Sequence, residues 1–402
     1  MTDIVIARRP ASIKPSPSIA ARALVTQLRA EGREIIDFTL GESDFDTPPH
    51  IVEAAYQAAR SGETRYTSSN GTKALRAAIV GKFARENGID FTEAQVVVGC
   101  GAKQLIHAAF AATLDEGDEV IVPTPYWVSY PDMAVVNGGV PVIVPVGEET
   151  GFKLTPALLG SAITPRAKWL VLNSPNNPSG AVYTPEEIAS LAAVLEQHPQ
   201  VMLMTDEIYE HFVYDGQTAA AFTRVAPQLA GRTLVINGVS KAYAMTGWRI
   251  GYAAGPLKLI ETITLLLSQS TTCPSSVSQA AAVAALNGDQ SFVREANAIY
   301  ETRRDRIVGL LDAIPGITCA RPAGAFYVYP NVSGLLGKRT SDGTTLNSDL
   351  DVSLFLLQEA GVAVIDGSSY GLSPYIRISF ATSLDTIDAG CAQFRRAVES
   401  LA

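Results

Sequence analysis

Short apolar runs recur along the middle of the chain, and each is followed by a loop of glycine, proline, asparagine or serine and then by a helical pattern. The runs are Val96 to Val98, Val120 to Val122, Leu170 to Leu172, Val201 to Met204 and Leu234 to Ile236. They contain no polar alternation, which predicts strands that are buried on both faces. The pattern therefore favours an α/β fold in which helices flank a mostly parallel sheet.

The residues before these units predict a helix, a strand and two polar loops. A Pro/Ser-spaced arm at Lys14 to Ser18 leads into a helical stretch from about Ala20 to Glu31. The apolar segment Ile35 to Leu40 predicts a strand, and the loop from Gly41 to Pro49 leads into the next helix. A second polar loop covers Gly62 to Gly71.

Five loops follow the predicted strands of the sheet, and each carries side chains that can bind a ligand. Ligands of open α/β sheets bind beyond the carboxyl ends of the strands. The small residues of Gly99 to Gln104 open a helix, where backbone N–H groups can hold a phosphate. The next loop offers the aromatic ring of Trp127, and the loop after it offers the amides of Asn173 to Gly180. The last two loops offer the carboxylate of Asp206 with the phenol of Tyr209, and the amine of Lys241. Each feature alone is also typical of a turn or a core residue, but five strand ends together predict one binding crevice.

The lysine in the last loop, Lys241, has an unusual setting. It lies between Ser240 and Ala242, and no acidic residue occurs from Lys241 to Tyr252. Lysine amines form Schiff bases with carbonyl compounds, including pyridoxal phosphate, when a desolvated or cationic setting lowers their pKa. Arg249, eight residues further on, could hold an anion such as a phosphate.

Length and composition limit the class of protein. A chain of 402 residues with 47% hydrophobic and 18% charged residues indicates two domains, or a large domain with a smaller one attached. The net charge of -9 argues against a general affinity for nucleic acid or acidic membranes. The four cysteines show no C-x-x-C spacing, which disfavours a zinc site or a disulfide framework. No apolar run is long enough to span a bilayer and the N-terminus has no signal-like segment, so we expect a cytoplasmic protein.

Four segments resemble the signature blocks of class I pyridoxal-phosphate aminotransferases of fold type I, most closely the bacterial aspartate and prephenate aminotransferases. The segments are Asn173 to Gly180, Thr205 to Tyr209, Ser240-Lys241 and Gly247 to Gly251. The resemblance implies a large cofactor domain over residues 46–288. It also implies a smaller α+β domain formed by residues 289–402 with the N-terminal arm and segment, residues 1–45.

The resemblance assigns roles around the cofactor pyridoxal 5'-phosphate. Lys241 would hold it as a Schiff base and then move a proton between the substrate α-carbon and the cofactor. Asp206 would pair with the ring nitrogen, and Tyr209 with Asn177 would hydrogen-bond the ring oxygen. Trp127 would stack on the ring. The phosphate would be surrounded by Gly101, Ala102, Lys103, Ser240 and Arg249. Tyr66 would reach the phosphate from the second subunit of a homodimer.

The resemblance also assigns substrate contacts. Arg377 would make a bidentate contact with the substrate α-carboxylate, a geometry that lysine cannot reproduce. The backbone at Gly41 would complete that site, beside Trp127 and Asn177. Residues Ser270 to Ser276 supply no arginine for a side-chain carboxylate. Lys103, with Thr67 and Ser16 nearby, is predicted to take that part, although Lys103 could instead only support the phosphate.

The predicted function is transamination between aspartate or glutamate and a 2-oxo acid, in a ping-pong exchange through the pyridoxamine form of the cofactor. Aromatic or prephenate substrates remain an alternative, as does a lyase or decarboxylase on the same scaffold. A non-catalytic binding module is disfavoured because every catalytic position is filled. No metal is predicted.

Overall fold

A computed structural model describes residues 4, 6, 11, 13 and 17–402, with side chains from residue 23 onward in the first helix. Its α-helices are α1 (Pro17–Ala30), α2 (Pro49–Arg60), α3 (Lys73–Lys82), α4 (Ala102–Thr113), α5 (Ser129–Val136), α6 (Pro156–Ala162), α7 (Pro185–Glu196), α8 (Phe222–Val225), α9 (Leu257–Ser270), α10 (Ser276–Asn287), α11 (Ser291–Asp312), α12 (Asp349–Glu359) and α13 (Leu384–Glu399). Its strands are β1 (Ile36–Asp37), β2 (Val96–Gly99), β3 (Glu119–Pro123), β4 (Val140–Val144), β5 (Ala167–Asn173), β6 (Met202–Asp206), β7 (Thr233–Gly238), β8 (Gly251–Ala254), β9 (Tyr327–Val328), β10 (Val362–Ala363), β11 (Ile365–Asp366) and β12 (Ile376–Ser379).

A seven-stranded sheet forms the centre of the molecule, in the order β2-β8-β7-β6-β5-β3-β4. Strand β8 runs antiparallel to both of its neighbours, whereas the other pairings are parallel. The five apolar runs of the sequence are the strands β2, β3, β5, β6 and β7. The sequence pattern missed β4, which lies at the edge and is only partly buried, and β8, whose Gly-Tyr-Ala-Ala sequence has no β-branched residue.

Both faces of this sheet are buried, as the lack of alternation predicted. Successive residues of a strand point to opposite faces, so Val97 packs with the core under α4 and α9, while Val96 and Val98 pack with the core under α2, α3 and α10. Strand β5 divides in the same way, with Trp169 on the first face and Leu170 on the second. Each buried apolar side chain of this kind stabilises the fold by about 1.5–3 kcal/mol. The sheet is therefore a rigid support for the loops at its edges.

The C-terminal residues form two smaller sheets, one of which includes a strand of the N-terminal segment. β9, β12 and β11 make an antiparallel sheet, and β1 pairs in parallel with β10. The strand predicted over Ile35 to Leu40 is thus only two residues long. Asp37 ends it, because its side chain accepts hydrogen bonds from the backbone N–H and the hydroxyl of Thr39 at 2.9 and 2.6 Å, which favours a turn.

The pairing of β1 with β10 joins residues near 36 to the C-terminal part of the chain. The domain boundaries at residues 45 and 288 stay a prediction. Among the described residues, no helix has both the length and the apolar character needed to cross a membrane.

Candidate active site

A cavity of about 750 Å³ opens at the carboxyl edge of the large sheet. The loops after β2, β3, β5, β6 and β7 all contribute to its wall, because parallel strands end at the same edge. Most of the residues singled out from the sequence line it: Gly41, Ala102, Lys103, Trp127, Asn177, Asp206, Tyr209, Ser240, Lys241, Arg249 and Arg377. The crevice inferred from five strand ends is thus a single site.

The Lys241 amine projects into this cavity. Its Nζ donates a hydrogen bond to the backbone carbonyl of Gly41 and lies 5.7 Å from the centre of the Tyr209 ring. Burial lowers the pKa of the amine from 10.5 to about 8, while Glu42 acts in the opposite direction and Arg377 assists burial. An amine with this pKa is partly neutral near physiological pH, the form that attacks a carbonyl.

Asp206 lies at the end of β6 and is fixed by three contacts. Tyr130 donates to Oδ2 at 2.7 Å, and the backbone N–H of Ile208 donates to Oδ1 at 3.3 Å. The side chain of Asn173 holds the backbone carbonyl of Asp206 at 2.8 Å. Burial raises the pKa of the carboxyl from 3.8 to about 6, although the Tyr130 hydrogen bond favours the ionised form. The group is therefore ionised at neutral pH but holds a proton readily.

Arg377, on β12, is a buried guanidinium held between two rings. Its Cζ lies 4.6 Å from the centre of the Tyr327 ring and 5.2 Å from that of Tyr370. The guanidinium donates to the Asn177 side chain at 3.2 Å and to the backbone carbonyl of Thr39 at 2.6 Å. Its Nε is buried and has no hydrogen-bond partner among the described residues. A buried cation with an unused donor is suited to binding a carboxylate.

The start of α4 has a geometry that suits an anion. Gly101 precedes the helix with a φ of 90°, and no side chain caps the first N–H groups. Arg249 donates to the backbone carbonyls of Thr246 and Cys100 at 2.8 and 3.3 Å, which brings its guanidinium beside the helix start. A Cβ at position 101 would lie 2.4 Å from Arg249 Nη2, so only glycine allows this approach. Free N–H groups, the helix dipole and a guanidinium together favour a phosphate.

Lys103, in the first turn of α4, forms a pair with Trp127 in the cavity wall. The Lys103 Nζ lies 4.8 Å from the centre of the Trp127 ring, within cation–π distance. Burial lowers the pKa of Lys103, and the positive charge of Arg249 adds to this effect. The indole and the ammonium thus border the same space.

Three residues that the sequence did not single out also belong to the wall: Tyr130, Tyr327 and Glu42. The Tyr327 hydroxyl lies 2.8 Å from that of Tyr209, so it supports the phenol that sequence reasoning chose. Glu42 accepts a hydrogen bond from Thr246 at 2.8 Å and faces the Lys241 amine. The only signal for Tyr130 in the sequence was its position three residues after Trp127, which the turn of a helix brings to the same side.

The remaining predicted residues do not line the cavity. Gly101 lies next to Arg249, which lines the cavity. Tyr66 projects from its loop and is 88% exposed. Thr67 is held by Cys273, whose Sγ accepts from its backbone N–H at 3.4 Å, and by Gln279 at 3.0 Å. Ser16 lies outside the described residues.

A family model described as "Aminotransferase class I and II" matches residues 33–394. The chain belongs to this family. The aminotransferase is 50% identical over 385 residues to an aspartate/prephenate aminotransferase of Cereibacter sphaeroides, and the match covers 96% of each chain.

Solved structures give the same result for this aminotransferase. The crystal structure of the aspartate aminotransferase from Rhizobium meliloti has a TM-score of 0.97 and 46% identity, and the match covers 100% of both chains. An aspartate aminotransferase from Thermus thermophilus with maleate has a TM-score of 0.92 and 41% identity, covering 98% of this chain and 100% of that chain. The predictions of the family, of fold type I and of an enzyme that catalyses transamination are confirmed. The roles of individual residues stay predictions.

Proposed function

We propose that this aminotransferase uses pyridoxal phosphate to exchange an amino group between aspartate or glutamate and a 2-oxo acid such as 2-oxoglutarate or oxaloacetate. The observation that carries the proposal is the arrangement of the Lys241 amine, the Asp206 carboxylate and the Arg377 guanidinium around one cavity. The names of the relatives from Cereibacter sphaeroides and Rhizobium meliloti support the choice of aspartate.

The residues of the cavity fit this cofactor. The start of α4 with Arg249 suits its phosphate, and the orphaned Nε of Arg377 suits the carboxylate of an amino acid. When bound, pyridoxal phosphate supplies a carbonyl that condenses with amines and a protonated ring that withdraws electrons from the substrate α-carbon.

Each residue then has a defined task. Lys241 would hold the cofactor through Nζ and, once released by the incoming amino group, would move the substrate α-proton at Nζ as general base and acid. The ionised Asp206 carboxylate would accept a hydrogen bond from the protonated ring nitrogen and stabilise its charge. Tyr209 and Asn177 would hydrogen-bond the ring oxygen, and Trp127 would cover the ring face.

Lys103 gives this site a preference for acidic side chains. Arg377, on β12, would hold the α-carboxylate, and Lys103, in the first turn of α4, offers a second cation in the wall of the same cavity. Two cations that face one cavity favour a dicarboxylate. The Thermus thermophilus aminotransferase structure with maleate, a dicarboxylate, is in line with this reading.

The test is to incubate the purified protein with aspartate and 2-oxoglutarate and to measure glutamate, oxaloacetate, pyruvate and ammonia. Glutamate and oxaloacetate in equal amounts are expected. Lys103→Ser should then lower kcat/KM for aspartate by about 10- to 150-fold, the equivalent of a hydrogen bond to a charged group, about 1.5–3 kcal/mol. The loss with alanine or phenylalanine should be much smaller.

A matched control is Lys168→Ser. This lysine pairs with Asp118 at 2.7 Å near the start of β5, at the edge of the sheet away from the cavity, and its loss should leave both substrates unaffected. Equal losses for acidic and neutral substrates in Lys103→Ser would mean that Lys103 serves only the phosphate. Ammonia released in place of glutamate would instead favour a lyase, and loss of aspartate with neither glutamate nor ammonia formed would favour decarboxylation.

Prephenate or aromatic substrates are the second candidate, because the Cereibacter sphaeroides relative is named for prephenate as well as aspartate. Prephenate is also a dicarboxylate, so the same two cations would bind it. Comparing kcat/KM for oxaloacetate, prephenate and phenylpyruvate as amino acceptors shows which of these three substrates the enzyme prefers.

We also propose a homodimer with shared sites. The support is that Tyr66 is exposed, in a loop held by Cys273 and Gln279, which leaves its side chain accessible to a second copy of the chain. In that arrangement Tyr66 would complete the phosphate site of the partner.

A further inference from the structure

A buried polar cluster lies beside the ends of β6 and β7, its residues are not among those that line the cavity, and the proposed mechanism does not use it. Its centre is the Glu210 carboxylate, which contacts the Lys82 ammonium. Asn87 and Asn237 donate their side-chain N–H groups to the same carboxylate at 2.7 and 2.6 Å. The Lys82 side chain is 0% exposed and that of Glu210 is 8% exposed.

The cluster joins the two loops that carry the reactive groups. Glu210 follows Tyr209 directly and is four residues after Asp206, whereas Asn237 is four residues before Lys241. The parallel ladder between β6 and β7 ends at Asp206 and Ile236, with one further backbone bond from Glu207 to Ile236 at 2.9 Å. Beyond that point, the hydrogen bond that Asn237 donates to Glu210 connects the end of β7 to the loop after β6.

The partners of Glu210 show that the carboxylate is held as an anion. Burial alone would raise its pKa, but the charges of Lys82 and His211 and the hydrogen bonds from Lys82 and Asn87 lower the pKa to about 2. Lys82 itself is oriented by Asn87, whose oxygen accepts from Nζ at 2.7 Å. Hydrogen bonds to ionised groups in a buried setting are the strong ones, so this connection is stiff.

A metal site is the other reading of these residues. Glu86, Glu210 and His211 have ligand atoms within 4.8 Å of one another. The Lys82 ammonium lies among them, however, at 3.8 Å from Glu86 as well as in contact with Glu210. A cation is therefore already present, and the geometry fits an ion pair.

We propose that Glu210 is a positioning residue of the transamination reaction. Its carboxylate fixes the loop of Asp206 and Tyr209 against the loop of Lys241, through Asn237 on one side and the Lys82–Asn87 pair on the other. The inference rests on the proposed roles of Asp206, Tyr209 and Lys241. A displacement of about 1 Å between reacting groups can cost about 10²-fold in rate, so the link matters although Glu210 touches neither cofactor nor substrate.

The test compares two double variants that differ only in whether residue 210 can accept a hydrogen bond from Asn237. Lys82→Met/Glu210→Gln and Lys82→Met/Glu210→Leu both remove the ion pair and leave no unpaired buried charge. The glutamine side chain can still accept a hydrogen bond from Asn237, whereas the leucine side chain cannot. We expect the first double variant to keep kcat within a few-fold of the wild type, and the second to lose about 10²-fold. KM for the amino acid should change less than kcat, because Arg377 lies on β12.

A second variant approaches the link from the other loop. Asn237→Ala leaves the Lys82–Glu210 pair intact and should reproduce the kcat loss and weaken pyridoxal phosphate binding. Glu86→Gln is the matched control: it changes the exposed side of the same cluster, where Glu86 contacts His211 at 3.1 Å, and should behave as wild type.

Binding of pyridoxal phosphate and its visible circular dichroism report on the link without turnover. Wild-type kcat and cofactor affinity in the Lys82→Met/Glu210→Leu variant or in Asn237→Ala would overturn the proposal, as would equal losses in the two double variants. Absence of transamination in the wild type would count against the proposed function instead. The circular dichroism and affinity of the variants would still decide the role of Glu210.

Discussion

Asp206→Asn should make the cofactor-free protein more stable above pH 6 while removing most of its activity. The carboxyl has a pKa of about 6 in the folded state against its usual 3.8, because burial disfavours the charge. Below pH 3.8 it is protonated in both folded and unfolded chains. Between pH 3.8 and 6 the folded chain holds a proton that the unfolded chain has lost, so stability falls as the pH rises. The ionised Asp206 carboxylate therefore lowers the free energy of unfolding by about 3 kcal/mol in total, and this full loss is present above pH 6.

The assay is urea unfolding of cofactor-free wild type and Asp206→Asn at several pH values from 4 to 8. The free energy of unfolding of the wild type, minus that of the variant, should fall by about 2.4 kcal/mol across this range and be flat above pH 7. Tyr130→Phe provides an internal check, since it removes a hydrogen bond to the ionised form. The pKa of Asp206 should be higher still in that variant, which extends the fall to higher pH.

Two curves that stay parallel from pH 4 to 8 would refute this reasoning, because they would mean that Asp206 ionises as easily in the folded chain as in the unfolded one. Turnover gives the second half of the test. An asparagine cannot stabilise the charge of the ring nitrogen, so kcat should fall by about 10²-fold or more, on the scale of lost electrostatic stabilisation in other active sites. A variant that is more stable but equally active would mean that the Asp206 carboxylate is not needed for catalysis.

Three further predictions concern single groups of the site. Lys241→Ala should fold but turn over negligibly, because the attaching amine and the proton carrier are both lost; near-normal rates in a coupled assay would exclude the assignment. Arg377→Lys should lower kcat/KM for all amino-acid substrates alike by about 10- to 150-fold, since lysine cannot make the bidentate contact; a loss confined to aspartate would contradict it. Mixing inactive Tyr66→Ala chains with inactive Arg377→Ala chains should restore activity, because one site of each heterodimer is intact. A fully active monomer by light scattering would exclude the shared site.

The large sheet and its binding edge could be predicted because both follow from local rules. Unalternated apolar runs specify strands buried on both faces, and the polar loops after them must then meet at one edge. Strand β8 could not be found this way, since its Gly-Tyr-Ala-Ala sequence carries no strand signal and it is held by its neighbours β2 and β7. The shortening of the strand at Ile35 depended on one side chain, Asp37, whose turn-forming hydrogen bonds compete with the ladder.

Site residues that act through other side chains were the ones that sequence reasoning missed. Tyr130 and Tyr327 are buried aromatic residues, and a sequence pattern gives such residues to the core. Only packing reveals that their hydroxyl groups reach Asp206 and Tyr209 at 2.7 and 2.8 Å. Lys241, by contrast, was conspicuous because its neighbours in the sequence are small and uncharged.

The segment Asp206 to Glu210 illustrates how the fold assigns different tasks to similar residues. It contains three acids in five positions, and nothing in their order distinguishes them. Asp206 faces the cavity, where its pKa of about 6 leaves it ionised at neutral pH. Glu207 points away from it into an apolar setting, where burial and the charge of Glu210 raise its pKa to about 8, so it keeps its proton. Glu210 meets Lys82 and stays an anion with a pKa of about 2. One short turn thus carries a reactive carboxylate, a neutral acid and an anchored ion, and the partners that the fold brings to each carboxyl decide which is which.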